Sequence, residues 1–109
     1  MANTYKVLGQ VAPSATTATT AYTCPSATQT VISTIVVANR AASAGTYRIS
    51  VRPNGATQAN EHYLAYDVAI AANDSTALTL GITIDASDVV TVYASSANMS
   101  FNLFGSEIA

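Results

Sequence analysis

Residues 46–70 read TYRISVRPNGATQANEHYLAYDVAI, and this stretch decides the fold class. In its first half, apolar and polar residues alternate with the period of two that is typical of a strand with one buried and one solvated face. The apolar positions are Tyr47, Ile49 and Val51, and the polar positions are Arg48, Ser50 and Arg52. Residues 53–55 then combine proline, asparagine and glycine, which predicts a turn because each of these residues suits a bent backbone.

A second strand is predicted after this turn, and its two faces again differ. One face carries His62, Leu64, Tyr66, Val68 and Ile70, and the other carries Tyr63, Ala65, Asp67 and Ala69. Because Tyr63 shares its face with Asp67, we expect Tyr63 to be exposed, whereas most of the other tyrosines lie on faces that we expect to be buried. An exposed tyrosine is amphipathic and suits contact with a partner protein or with a sugar.

The same criteria, applied outward in both directions, predict further short strands. They cover residues 4–12, 21–24, 29–39, 77–84, 89–95 and 99–104. Residues 14–20, SATTATT, are predicted to form a loop, with an extended arm lying on a neighbouring molecule as the alternative. Gly81 lies near the midpoint of its strand and indicates a bend or a bulge there.

Strand number and spacing together predict the architecture. About eight short strands, with turn signals between them and no helical period, are typical of an all-β fold and indicate an antiparallel β-sandwich. With 109 residues, the chain is expected to form a single domain, residues 1–109. Residues 1–20 are expected to be an extended arm or an edge strand of that domain.

The composition excludes several classes of protein. Hydrophobic residues make up 50% of the chain and charged residues 9%, which excludes disorder and leaves so little charge repulsion between copies that we expect a homo-oligomer. Four basic residues are too few to neutralise a phosphate backbone, so no nucleic-acid partner is expected. The sequence has neither a long apolar run nor a secretory leader pattern, so we expect no membrane association and no secretion by that route.

Residues that could perform catalysis are scarce. Cys24 and His62 are the single cysteine and the single histidine, and no signature of a cysteine enzyme surrounds this one possible nucleophile and base pair. The same two residues cannot supply a zinc site. The turns at residues 73–74 and 85–88 could converge on calcium, but Asx side chains in turns ordinarily bond their own backbone. We therefore expect no enzymatic activity, no metal and no cofactor.

Five segments carry a family resemblance: the VLGQ opening, TYRISVRPNG, NEHYLAYD, the LTLGIT run and the terminal FNLFGSE. They resemble small virion structural proteins of tailed bacteriophages, particularly those of cyanobacterial and other aquatic phages. The resemblance covers almost the whole chain and includes no catalytic motif. The resemblance implies an immunoglobulin-like or jelly-roll-like sandwich in a virion. Among virion proteins, the chain most resembles a capsid decoration (cement) protein. The alternative is a tail, neck or baseplate component or a glycan-binding module for the host surface.

On this interpretation the chain is made in the cytoplasm of the host bacterium and resides in the virion, where it binds the major capsid protein or another virion protein. A symmetric trimer whose subunits each touch more than one capsid protein would oppose the pressure of packaged DNA. Arg48 and Arg52, about 7 Å apart on one strand face, are expected to contact acidic capsid positions. Tyr63 is the third expected contact residue.

Overall fold

The computed structural model describes residues 2–109, and within them the chain forms nine β-strands and two short 3-10 helices. The strands are β1 (Asn3–Val11), β2 (Thr19–Thr23), β3 (Gln29–Asn39), β4 (Gly45–Arg52), β5 (Tyr63–Ile70), β6 (Ser75–Leu78), β7 (Ile82–Ile84), β8 (Val89–Ala94) and β9 (Met99–Ile108). The 3-10 helices, η1 (Pro53–Gly55) and η2 (Asn60–His62), lie between β4 and β5. The predicted turn at residues 53–55 is η1, so that prediction is confirmed. No helix among residues 2–109 has the length and apolar character needed to cross a membrane.

The strands pair in two antiparallel sheets. Sheet 1 has the order β1-β9-β3-β6, with β7 also paired to β3, and sheet 2 has the order β2-β8-β4-β5. The predicted antiparallel β-sandwich is therefore confirmed. The boundaries of the central strand are confirmed as well, because β3 occupies the predicted residues 29–39. Its β-branched residues suit a pleated surface that is packed on one side and flanked by strands on both edges.

The strand pairing is nested. The first strand pairs with the last, β2 pairs with β8, β3 pairs with β6 and β7, and β4 pairs with β5. When β6 and β7 are counted as one interrupted strand, eight strands form a long folded hairpin, which is rolled up so that β9 also pairs with β3 and β8 with β4. This connectivity is that of a jelly roll. It differs from the strand arrangement of an immunoglobulin sandwich.

The hydrophobic core lies between the two sheets and uses the inward positions that the alternation predicted. Tyr47 and Ile49 of β4 and Phe101 and Leu103 of β9 are fully buried. The Tyr47 ring from sheet 2 meets the Phe101 ring from sheet 1 edge to face, with centroids 6.3 Å apart and planes at 73°. Because burial of one such side chain contributes roughly 2 to 3 kcal/mol, this contact is a main link between the sheets.

The strand predicted at residues 77–84 is divided into two. β6 pairs with residues 35–38 of β3 and β7 pairs with residues 30–32, so both follow the same edge of sheet 1. Gly81 lies between them with a φ of +64°, a conformation that strains any residue with a Cβ. The bend that this glycine indicated is confirmed, but it is sharp enough to interrupt the strand.

β1 is the outer strand of sheet 1 on the side opposite to β6 and approaches β2 closely. Its register shifts between Val7 and Gly9, which marks a bulge. A Cβ atom at Gly9 would overlap the backbone carbonyl oxygen of Ala21 in β2. Glycine is therefore required here for the two sheets to meet at this corner.

The loop before β2 lies two residues earlier in the chain than predicted and spans residues 12–18 instead of 14–20. Residues 3–11 form an edge strand, and β2 already begins at Thr19, within the tract that was predicted to be a loop. The backbones of Ala2 and Ala109 exchange two hydrogen bonds, of 2.8 and 3.0 Å. This end of β1 is thereby attached to the end of β9.

The face assignment predicted for β5 is wrong. Tyr66 belongs to the face that was expected to be buried, but its side chain is 56% exposed, and Leu64 and Val68 of that face are exposed too. β5 is the outer strand of sheet 2 and its register against β4 shifts twice. Asp67 has a φ of +51° at one of these irregularities. Because bulges break the period of two, simple alternation cannot assign the faces of this strand.

Candidate functional site

The outer face of sheet 2 carries an arginine between two aromatic rings. The guanidinium carbon of Arg48 lies 4.2 Å from the ring centroid of Tyr66 and 4.3 Å from that of Tyr93. The register of β4 against β8 places Arg48 directly opposite Tyr93, while Tyr66 comes from β5 on the other side. Both distances are within the range of cation–π attraction. Three neighbouring strands therefore contribute to one stacked arrangement.

Asp67 fixes the orientation of this arginine. Its carboxylate accepts two hydrogen bonds from Arg48, at 2.6 Å from Nε to Oδ1 and at 3.3 Å from Nη2 to Oδ2. The hydrogen bonds from Arg48 to Asp67 raise the pKa of Arg48 above its ordinary value, so the guanidinium stays charged. Two parallel bonds define its plane. The charge of Arg48 is thus compensated within the chain, and its contact with an acidic partner stays a prediction.

Beside this stack, two tyrosine rings form a corner. The rings of Tyr63 and Tyr66 meet at 83° with centroids 4.8 Å apart. Together with Asn60 of η2 they line a depression of about 270 Å³. Asn60, Tyr63 and Tyr66 are named the aromatic corner. Tyr63, the tyrosine predicted for partner contact, is partly exposed and belongs to it.

Arg52 lies on the same face of β4 as Arg48, four residues further along the strand. Its environment differs from that of Arg48. Its Nε donates to Thr91 Oγ1 at 3.1 Å, and its Nη1 donates to the backbone oxygen of Ala56 at 2.8 Å. Between the two arginines, Ser50 Oγ donates to Gln58 Oε1 at 2.8 Å. Arg52 therefore holds the connection between β4 and β5 against sheet 2.

The outer face of sheet 1 carries an apolar surface. Tyr5 is 81% exposed and Val7 is 47% exposed, and both lie on β1. Val7 pairs with Phe104 of β9, and Val31 of β3 lines the same shallow depression of about 430 Å³ as Tyr5 and Phe104. Tyr5, Val7, Val31 and Phe104 are named the β1 patch. Because the two sheets turn opposite faces to solvent, this patch and the aromatic corner lie on opposite sides of the sandwich.

A polar network joins the two sheets beside the core. Tyr22 of β2 donates its hydroxyl proton to Glu107 of β9 at 2.5 Å, and Lys6 of β1 donates to the same carboxylate at 3.0 Å. Tyr22 has a single hydroxyl proton, so the 2.8 Å bond between Tyr22 and Thr30 must be donated by Thr30. The hydrogen bonds from Tyr22 and Lys6 lower the pKa of Glu107. Burial and the bond to Glu107 raise the pKa of Tyr22.

Cys24 and His62 have separate environments. Cys24 is buried and its thiol lies against the hydroxyl of Thr30 and the backbone oxygen of Thr28, at 3.2 and 3.3 Å. His62 is in η2, where its Nδ1 accepts a hydrogen bond from the backbone N–H of Ala59 at 3.0 Å. Each side chain therefore has a structural partner of its own.

The two Asx-rich turns do not converge. Residues 73–74 precede β6 near residue 38 of β3, and residues 85–88 follow β7 near residue 30. Eight residues of strand separate the two positions, roughly 26 Å at the usual rise. Asp88 accepts hydrogen bonds from the backbone N–H groups of Asp85, in its own turn, and of Asn54, in η1, so its carboxylate links these two turns. Within residues 2–109, no three His, Cys, Asp or Glu side chains are grouped as metal ligands would be.

Sequence reasoning missed Tyr66, Tyr93 and Asn60, as well as the β1 patch. A partial signal existed for Tyr93, because it alternates with Val92 and Ala94 and so belongs with Thr91 to the other face of its strand. No sequence signal places Asn60 beside a tyrosine, since η2 has no apolar period. Comparison with protein-family models, with curated proteins and with solved structures finds no match to this chain.

Proposed function

We propose that this chain is a bacteriophage virion structural protein, a capsid decoration (cement) protein that binds the outside of the head through the β1 patch. The observation that carries the proposal is the exposure of Tyr5 and Val7 on an edge strand, next to the half-buried Val31 and Phe104. The resemblance of the sequence to virion proteins supports the same role. So does the jelly roll, a fold that recurs in viral capsids.

The β1 patch has the character of a surface that another protein covers. Natural edge strands are usually protected by charges, by bulges or by a covering segment. In the exposed half of β1, Lys6 is the one charged residue, and its ammonium group is paired with Glu107. Tyr5 and Val7 alternate with it and remain exposed. An apolar surface that extends across three strands indicates a protein contact more often than a surface without a binding partner.

The proposed mechanism is multivalent clamping. A symmetric trimer would present three copies of the β1 patch, so several weak contacts to the major capsid protein would act together. Because the decoration protein binds only the assembled shell, its binding energy would favour that shell over the ruptured state by mass action. The chain would be made in the bacterial cytoplasm and would reside in the virion.

Arg48 and Arg52 have a different role in this proposal from the one the sequence suggested. Both guanidinium groups have partners within the chain, Asp67 for Arg48 and backbone oxygens for Arg52. The contact with the head would therefore rest mainly on apolar burial. Since salt screens charged contacts far more than apolar ones, binding to heads should change little between low and moderate salt.

The test adds purified protein to heads assembled without it and measures the temperature at which the heads rupture. We expect saturating wild-type protein to raise this temperature, and the double variant Tyr5→Ser, Val7→Ser to give no increase. Tyr66→Ala is the matched control, because it removes an exposed tyrosine from the opposite face and should protect heads like wild type. Unfolding curves of both variants establish that they are folded.

Two results would contradict the proposal in different ways. If wild-type protein binds heads but leaves their rupture temperature unchanged, the protein is not a cement. If labelled protein binds isolated tails or baseplates and not heads, it belongs to the alternative class of tail, neck or baseplate components. Equal protection by the double variant and by wild type would exclude the β1 patch as the contact.

A further inference from the structure

The aromatic corner combines apolar and polar groups as a ligand site does. The rings of Tyr63 and Tyr66 provide two nearly perpendicular apolar surfaces. Their hydroxyl groups and the amide of Asn60 make no hydrogen bond to other side chains or to the backbone of residues 2–109, although the nearby Gln58, His62 and Asp67 all do. Three polar groups without a partner in the fold therefore surround one depression. They are free to bond a ligand.

The position of Tyr66 is fixed before any ligand binds. Arg48 stacks on its ring at 4.2 Å, and Arg48 is itself held by the Tyr93 ring and by the two bonds to Asp67. An exposed tyrosine normally loses side-chain freedom when it binds a ligand, and that loss weakens binding. In this protein Tyr66 has already lost that side-chain freedom when the chain folds. Arg48 and Asp67 act as positioning residues for the ring.

The charges around the corner select the ligand. The three lining side chains are uncharged, and the positive charge of Arg48 is compensated by Asp67. Glu61, the neighbour of Asn60, is exposed and places a negative charge close by. The ligand must therefore present an apolar surface to the rings and hydroxyl groups to the rim, without an anionic group. A neutral sugar ring in the pyranose form meets all three requirements, because its axial C–H bonds form an apolar face and its hydroxyls radiate from the edge.

We infer that the aromatic corner binds a neutral pyranose residue of a surface glycan. The apolar face of the sugar stacks on the Tyr66 ring, its edge contacts the Tyr63 ring, and the amide of Asn60 bonds its hydroxyl groups. This site goes beyond the proposed decoration function. It lies on the face opposite to the β1 patch, so a subunit attached to a particle through β1 would leave it free. The inference also holds if the chain belongs to another part of the virion.

The test titrates isotopically labelled protein with methyl glycosides of glucose, galactose and mannose and follows the backbone amide signals. We expect at least one of them to shift signals of residues 58–67 in a saturable manner, with weak, single-site affinity. Tyr66→Ala should lower that affinity at least tenfold. Tyr66→Phe should retain it within about threefold, because it keeps the ring that stacks on the sugar.

Tyr5→Ala is the matched control, since Tyr5 is the more exposed tyrosine and lies on the other face of the sandwich. It should bind the sugar like wild type. Amide spectra without sugar show whether each variant is folded, and Tyr66→Phe keeps the test informative if Tyr66→Ala is not. The inference is wrong if none of the three glycosides shifts these signals, if Tyr66→Ala and Tyr5→Ala lower the affinity equally, or if sialyl-lactose binds more tightly than the neutral sugars.

Discussion

The hydroxyl of Tyr22 on β2 donates a hydrogen bond to the carboxylate of Glu107 on β9, and this bond joins the two sheets of the sandwich. Lys6 of β1 binds the other oxygen of the same carboxylate. Three strands from two sheets therefore meet at one charged group. Glu107 lies at the margin of the core, and its side chain is 15% exposed.

Glu107→Ala should lower the free energy of unfolding by about 1 to 2 kcal/mol. It removes a hydrogen bond to a charged acceptor, which is worth about 1.5 to 3 kcal/mol when well shielded, and a partly solvated ion pair of smaller value. Urea denaturation measures the change. Glu61→Ala is the control, because Glu61 is exposed on η2, and it should alter stability by less than about 0.5 kcal/mol. Equal stability of the two variants would show that the network contributes nothing.

Acid should weaken the fold through Glu107. The hydrogen bonds from Tyr22 and Lys6 hold the pKa of Glu107 below its ordinary value of 4.5. The resulting stability is therefore present above pH 4.5 and is lost as the pH falls through the lower pKa of the folded state. Denaturation curves measured between pH 7 and pH 3 should show a smaller decline for Glu107→Ala than for wild type. If the stability of wild type and of Glu107→Ala declines equally, Glu107 is not the cause of the acid sensitivity.

Alkali should weaken the fold through Tyr22. Burial and the bond to Glu107 raise the pKa of Tyr22 above its ordinary value of 10.0, and burial also raises the pKa of Tyr47. The stability that these two tyrosines contribute to the fold is fully present below pH 10 and is lost above it, because tyrosines of the unfolded chain ionise at a lower pH than those of the folded chain. Tyr22→Phe should reduce this loss and leave the part due to Tyr47. Denaturation at pH 8 and at pH 11 measures both, and an unchanged loss in the variant would exclude Tyr22.

Phe101→Ala should destabilise the protein by about 3 to 5 kcal/mol, since it leaves a cavity where the ring meets Tyr47 from the other sheet. Such a loss is a large part of the stability of a domain of this size. Thermal unfolding followed by circular dichroism measures it. Tyr5→Ala removes an aromatic ring that is 81% exposed and should change stability by no more than about 0.5 kcal/mol. Similar losses for the two variants would mean that the inter-sheet contact is unimportant.

Two glycines should respond differently to alanine. Gly81 has a φ of +64° with open space around it, so Gly81→Ala should cost only the conformational strain of about 1 to 2 kcal/mol. Gly9→Ala should cost more, because the new methyl group would overlap the carbonyl oxygen of Ala21 and push the two sheets apart. The free energies of unfolding of both variants decide the order. A smaller cost at Gly9 would contradict the close approach of β1 to β2.

Regular alternation allowed most of the fold to be predicted. β4 follows it at Tyr47 and Ile49, and β3 follows it on either side of a bulge between Ile32 and Thr34, because the inward residues of both strands face one core. β5 does not, since its irregular pairing with β4 moves Tyr66 to the solvent side. A bulge depends on how two strands fit together, so it leaves no period in the sequence of either strand. Errors of face assignment are therefore expected wherever a strand contains a bulge, as β5 does.

The candidate site was predicted less well than the fold. Arg48 and Tyr63 were singled out from their strand faces, but the partners of Arg48 come from β5 and β8, 19 and 45 positions further along the chain. A single sequence without its register contains no information on such neighbours. Tyr22 and Glu107, separated by 85 positions, escaped notice for the same reason.

The place of β9 in sheet 1, between β1 and β3, has a consequence for biosynthesis. As the chain leaves the ribosome, β1 and β3 emerge early, but neither can reach its main neighbour until the last strand has been translated. Local hairpins such as β4 with β5 can form at once, whereas sheet 1 must wait. The nascent chain therefore passes through a period in which the apolar, β-branched β3 lacks its partner on one edge, and holdase chaperones should recognise it then.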